Sequence, residues 1–333
     1  MPIAVGLLAS AAVAAGLGYW LAYRRENRPD RVLGLLYHRV VSDEDYASGP
    51  PTEKLFSIPE RRFREQLSYL RRQGYQAVSL DRVVGYLRDG TPLPPQPVLV
   101  TFDDGSVSVH DKALPVLREL GWPAVLFVTT DPAAWVFSLG SRPQRRVTPE
   151  EIRELDRSGV TIGSHSVSHG ALESMSEPEI AFELGESKRY LESVLGHEVR
   201  YFGVPLNWYG PKVRRAARAA GYHAVCTSDN GTIHGGSDPF HLRRFIIEGT
   251  FDLAEFARNL GAHAIVQRRC INSIKRVPAR LLGPRLWLPL RRRLFATFLG
   301  RYFGLRYFRR ALATTLVVAA LAALFVVWWL AHP

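Results

Sequence analysis

The chain has 333 residues, with 43 Lys+Arg against 31 Asp+Glu and a formal net charge of +12. Its 47% hydrophobic and 22% charged fractions exclude a disordered chain, and its two cysteines exclude a disulfide-rich scaffold or a Cys-based zinc module. The positive excess suggests nucleic acid or an anionic membrane as partner, and its placement along the chain decides between them.

An apolar run at residues 3–23 opens the sequence and is followed, not preceded, by Arg24, Arg25, Arg28 and Arg31. A cleaved signal peptide wants its basic segment first, so residues 1–24 read as an uncleaved transmembrane anchor. Residues 32–36 predict a strand. Residues 60–73 predict a helix with Phe63, Leu67 and Leu70 on one face and Gly74 as its stop. A short strand at 76–80 precedes a helix at 82–88 capped by Asp81, and the all apolar or β-branched run at 97–102 is a strong strand. Residues 109–120 read as helix and 124–129 as strand. Thr148-Pro149-Glu150-Glu151 combines an N-cap, Pro in the first turn and Glu at N3, which opens a helix ending at Gly159. Strands at 160–163, 199–204, 222–227 and 242–247 then alternate with helices at 176–195 and 211–220. Such alternation predicts a parallel α/β body over residues 25–262, either a barrel of seven or eight units or a doubly wound open sheet. In both, function belongs at the C-terminal edges of the strands.

Beyond Arg258 there is no Asp or Glu, and the 13 basic residues from Arg268 to Arg310 carry the whole excess of charge. Residues 263–310 read as a basic amphipathic segment in a membrane interface, with Leu290, Leu294 and Phe298 four apart among arginines. Residues 311–333 read as a C-terminal transmembrane helix, uncharged over 311–330, with Trp328 and Trp329 at the interface. Both basic flanks face the body. The expectation is therefore a cell-membrane protein with two spans, its body facing the cytoplasm and its tail on anionic lipids, with no nucleic-acid partner. Cys226 and Cys270 fit a reducing compartment.

The 97–102 strand ends in Asp103-Asp104-Gly105. Adjacent carboxylates at a strand end repel each other if buried, and a divalent cation would stabilise one and leave the other as a base; a plain surface turn is the bland reading. The 160–163 strand ends in Ser164-His165-Ser166-Val167-Ser168-His169, where two histidines four apart are either metal ligands or solvated loop residues. In a parallel sheet both segments share one rim. Asp104, His165 and His169 then form a two-His-one-carboxylate set, with Asp103 beside it as the general base for water.

The strings Thr101-Phe102-Asp103-Asp104-Gly105 and His165-Ser166-Val167-Ser168-His169 resemble the first two motifs of the polysaccharide deacetylases (carbohydrate esterase family 4, the NodB homology family). Leu35-Leu36-Tyr37-His38-Arg39-Val40 and Ala124-Val125-Leu126-Phe127-Val128 are similar too, and the resemblance covers residues 32–250. It implies a distorted (β/α)7 barrel, here flanked by N- and C-terminal transmembrane helices, and removal of N-acetyl groups from amino sugars. It implies Asp103 as catalytic base and Asp104, His165 and His169 as ligands of zinc or a similar divalent ion. The third family motif, Arg-x-Pro-x-Tyr or Arg-x-Pro-x-Gly, aligns with Gly203-Val204-Pro205-Leu206-Asn207, so its Arg is missing. Arg243 and Arg244 on the last strand are candidates to replace it, and the Leu206 N–H after Pro205 still serves an oxyanion. The fifth motif, Leu-x-x-x-His, is absent. His38, His223, His234 and His241 are candidate proton donors to the leaving amine, and His38 has a structural role as its alternative. Trp122, Trp135 and Trp208 are core residues or sugar platforms.

The expected function is a metal-dependent deacetylase acting on the N-acyl amide of an amino sugar. A cytoplasmic body points to a lipid-linked glycan and an extracellular one to a polysaccharide. The alternative, motivated by the missing Arg and His, is a non-catalytic membrane-anchored glycan-binding or scaffolding protein with a degenerate deacetylase fold.

Overall fold

The computed structural model describes residues 2–51, 53–134 and 145–273, together with 281, 282, 286 and 290. Its contacts divide the chain into two units. The unit Glu26–Ile265 contains every strand: β1 (Leu33–Tyr37), β2 (Arg39–Val41), β3 (Ser57–Pro59), β4 (Gln76–Ala77), β5 (Pro97–Phe102), β6 (Ala124–Val128), β7 (Val160–Ser164), β8 (Tyr201–Gly203), β9 (Ala224–Cys226) and β10 (Phe245–Ile246).

Eight strands form one parallel sheet in the order β10-β1-β5-β6-β7-β8-β9, with β4 on the lower half of β5. The order runs without reversal, so there is no switch point, and the doubly wound alternative is set aside. A parallel bridge between Cys226 and Leu242 draws the two ends of the order together, giving a curled, barrel-like α/β sheet. β1 and β5 pair from Leu33↔Val98 to Tyr37↔Phe102, so their C-terminal ends, and with them His38 and Asp103, share a rim.

Both faces of β5 are buried, which accounts for its unbroken apolar run. Val98, Val100 and Phe102 pack under the helices Glu60–Arg72, Leu114–Leu120 and Glu177–Leu195, with Phe63, Leu67, Leu117 and Leu184. On the opposite face Leu99 meets Val125, Phe127, Tyr201 and Cys226. The ring of Phe127 needs glycine on two neighbouring strands. A Cβ at Gly163 or at Gly203 would lie 2.6 Å from it, inside any real contact distance.

Local signals explain most element bounds. The Thr148 and Ser176 capping boxes open their helices, and Gly90, Gly121 and Gly196 end theirs at positive φ. The helix Leu80–Asp89 is capped by Ser79, not Asp81, which instead accepts a hydrogen bond from Tyr201. Residues 109–120 split into a turn of π-helix (Val109–Ala113) and an α-helix (Leu114–Leu120), because Pro115 in the first turn lacks an N–H. The parallel pair β2–β3 carried no periodic signal, each strand being three residues long.

The membrane expectation is overturned. The N-terminal helix runs Pro2–Glu26, yet among the described residues no helix is long and apolar enough to cross a membrane. Two transmembrane helices therefore drop out of the fold and of the localisation. With them go the cytoplasmic orientation and the lipid-linked substrate that rested on it. The expected second span at 311–330 and the arginine-rich part of the interface segment lie outside the described residues, as does Trp135.

Candidate active site

β5 ends by delivering two carboxylates in different directions. Asp103 continues the sheet, its N–H donating to the Tyr37 carbonyl, whereas Asp104 turns away at φ 80°. Both are buried. Asp103 is gripped by Arg244: Nη1 donates to Oδ1 at 2.6 Å and Nη2 to Oδ2 at 2.9 Å. Arg244, 0% exposed, also donates through Nη1 to Thr101 Oγ1 and through Nε to the Thr227 carbonyl, both at 3.1 Å. Its guanidinium lies 5.0 Å from the centre of the Phe127 ring. Of the two candidate arginines, Arg244 thus supplies the missing cation, while Arg243 faces Glu26 at 3.8 Å. The departure at position 203 has a steric reason, since any side chain there would collide with Phe127.

Asp104, His165 and His169 meet beside this pair, all buried, with ligand atoms mutually within 4.8 Å. Asp104 Oδ1 lies 3.5 Å from His165 Nε2 and 3.3 Å from His169 Nε2. Donors at ~2.1 Å from a tetrahedral ion stand ~3.4 Å apart, so the spacing fits zinc or a similar cation. The His165 Nδ1–H donates to the Gly203 carbonyl at 2.8 Å, which turns Nε2 toward Asp104. Burial works against the charge on Asp104, but hydrogen bonds from His165 and His169 outweigh it and hold the carboxyl well below the usual carboxylate range. The loop is tightly fixed. Ser166 and His169 have positive φ, the His169 N–H donates to Ser166 Oγ, and the Val167 and Ser168 N–H groups both donate to Glu183 Oε2 at 2.9 Å. Glu183 gave no signal in the sequence, where it is one more charge in the helix Glu177–Leu195.

On the same rim, Pro205-Leu206-Asn207 follows β8 with left-handed φ at Leu206 (54°) and Asn207 (57°). Non-glycine residues held there cost on the order of 1–3 kcal/mol each, strain that concentrates at functional turns. Pro205 is buried and starts the turn; Trp208, partly buried, closes it with a bond from its N–H to the Pro205 carbonyl. His38 stands after β1 with Phe56 edge-on at 5.0 Å, and its buried Nδ1 has no hydrogen-bond partner. Burial pushes its imidazole down, while Asp104 and Asp103 pull the other way. His241 Nε2 lies 2.8 Å from Asp229 Oδ2 in the loop after β9. His223 and His234 belong to the opposite rim. His223 immediately precedes β9, and His234 follows Ile233, which bridges to Val32 just before β1. Trp122, just before β6, is there too.

The sequence profile of the family described as polysaccharide deacetylase matches residues 90–225, from β5 through β9. Over that stretch the chain is similar to the polysaccharide deacetylases. By that match it is a hydrolase of the class acting on N-acetyl sugars. YxkH of Bacillus subtilis, named for the same family, is 23% identical over 223 residues, covering 67% of this chain and 74% of YxkH. The poly-beta-1,6-N-acetyl-D-glucosamine N-deacetylase of Escherichia coli is 37% identical over 93 residues, 28% of this chain but only 13% of that enzyme. Among solved structures, the Streptococcus pyogenes deacetylase PplD in complex with acetate shares the fold with a TM-score of 0.60 at 22% identity, covering 70% of this chain and 99% of that one. With Arg244 in place, the missing third-motif Arg no longer argues for a degenerate, non-catalytic protein.

Proposed function

We propose that this protein hydrolyses the N-acetyl amide of glucosamine units in a poly-N-acetylglucosamine-type glycan, with a divalent cation, zinc by its donor set, held by Asp104, His165 and His169. The carrying observation is the buried Asp103–Arg244 pair beside that donor set on one rim. The poly-beta-1,6-N-acetyl-D-glucosamine N-deacetylase relative supports the substrate class. A cation bound there supplies Lewis-acid activation of water and of the acyl oxygen.

Asp103, aimed by the two Arg244 bonds, takes a proton from the attacking water. The new C–O bond forms at the acyl carbon, and the Leu206 N–H donates to the oxygen on which negative charge develops. His241, oriented by Asp229, gives a proton to the amide nitrogen as the C–N bond breaks, leaving acetate and a free amine. His38, with its unpartnered Nδ1, hydrogen-bonds the substrate.

The test is acetate release from an N-acetylated β-1,6-glucosamine oligomer by zinc-loaded full-length protein, with metal content measured alongside. Wild type should bind one equivalent of metal and release acetate, Asp103→Asn should bind metal without turnover, and His165→Ala should lose both. Full activity of Asp103→Asn, or of wild type stripped of metal, would sink the proposal.

A further inference from the structure

Asn207 occupies the place where the family pattern has Tyr or Gly, and its side chain makes a two-point clamp. Its Oδ1 accepts the Ser228 N–H at 3.0 Å, and its Nδ2 donates to Asp229 Oδ1 at 2.9 Å. The other Asp229 oxygen holds His241 Nε2 at 2.8 Å. The peptide whose N–H the clamp takes, Thr227–Ser228, uses its carbonyl to accept Arg244 Nε at 3.1 Å, and Arg244 grips Asp103. One amide therefore joins three parts that lie on separate loops: the strained turn carrying the Leu206 N–H, the Asp229–His241 pair and the Arg244–Asp103 pair. The clamp also explains how two consecutive left-handed residues persist, since Asn tolerates that region but Leu does not.

We infer that Asn207 is a positioning residue that keeps the Leu206 oxyanion donor and the His241 proton donor in register with Asp103. The inference rests on the deacetylase reading above. Displacements of about 1 Å at such sites cost on the order of 100-fold in rate, whereas substrate binding is made elsewhere. Around His241 the charged and titratable groups are Asp229 from the loop after β9, Tyr209 from the loop after β8, and Asp238 on its own turn, which is paired with Arg214.

The experiment compares zinc-loaded wild type, Asn207→Ala, Asn207→Gly and Asn207→Asp. Asn207→Gly removes the clamp while leaving the left-handed backbone unstrained, so it isolates the clamp from the strain and guards against a misfolded Ala variant. Ala and Gly should each lower kcat by about 10- to 100-fold with KM within about twofold and metal content unchanged. Asn207→Asp keeps the Ser228 contact but sets a carboxylate against Asp229, and should be no better than Ala. In a cycle with His241→Gln, Asn207→Gly should cost clearly less than it does in wild type, because one of the two donors it serves is gone.

A second readout needs no turnover. In 15N-histidine-labelled protein, the His241 imidazole N–H resonance, assigned by its loss in His241→Gln, should shift or broaden in Asn207→Gly. An unmoved resonance overturns the inference. If wild type deacetylates, so do additive kinetic losses or a kcat within threefold in Asn207→Gly. If wild type releases no acetate, the deacetylase reading fails and the resonance alone decides the clamp.

Discussion

Replacing Arg244 tests the site at its most interdependent point. The guanidinium is fully buried and makes four hydrogen bonds, two of them to Asp103, itself 6% exposed as a side chain. Arg244→Met removes the cation and keeps most of the volume, stranding a buried carboxylate. Breaking one partner out of a buried pair costs ~3–5 kcal/mol. For a body of this size that corresponds to a fall in Tm of roughly 10 °C. Without the two bonds that aim it, Asp103 is no longer held to take a proton from water, so kcat should fall by at least about 100-fold. Arg244→Lys restores charge to one carboxylate oxygen but not the bidentate geometry, and should land between the two. The decisive arm is Arg244→Met/Asp103→Asn. With no charge left buried, the double variant should be more stable than Arg244→Met alone while remaining inactive. The assays are thermal unfolding by circular dichroism and acetate release. A double variant no more stable than Arg244→Met, or Arg244→Met retaining kcat within threefold, would refute the reasoning.

Three further outcomes follow from the geometry. Gly203→Ala should cost ~1–3 kcal/mol by overpacking against Phe127, and Phe127→Leu in the same chain should recover part of it, read as Tm. Glu183→Ala frees two loop N–H groups between the histidine ligands and should weaken zinc binding ~10–100-fold in a competition titration, with the fold intact by circular dichroism. His110 is held above its ordinary value because, although burial opposes its charge, hydrogen bonds to Asp111 and Glu154 outweigh it. A raised folded pKa means that its stabilisation is complete below about pH 6.5 and is lost as pH rises through the folded value. Wild type should therefore exceed His110→Gln in Tm at pH 5.5, and the gap should close by pH 9; a gap that widens with pH would contradict the assignment.

The clustering of Asp104, His165 and His169 was legible because they sit directly after apolar runs that can only be buried strands, which puts them and Asp103 on one rim. The choice between Arg243 and Arg244 was not legible. Adjacent residues on a strand point to opposite faces, and only the register against β1 says which face looks onto Asp103. Glu183 and Asn207 were invisible for a related reason: each acts on backbone N–H groups of another segment, and such partners leave no pattern in composition or spacing. Gly203 looked like a lost catalytic Arg because the space it vacates is taken by Phe127, which reaches it from β6 across β7. The membrane reading leaned on apolar runs at the two ends, a signal independent of the body's fold.

The source of the cation on Asp103 has a consequence for how this molecule matures. The pair is separated by 141 positions in the chain, and the arginine arrives one residue before the strand that docks beside β1. A chain that has emerged only as far as β9 already contains Asp104, His165 and His169 but leaves Asp103 without its counter-charge. The buried Asp103–Arg244 pair is therefore completed only when β10 docks beside β1. A copy that stops before Arg244 would keep the Asp104, His165 and His169 cluster and leave the carboxylate beside it unpaired.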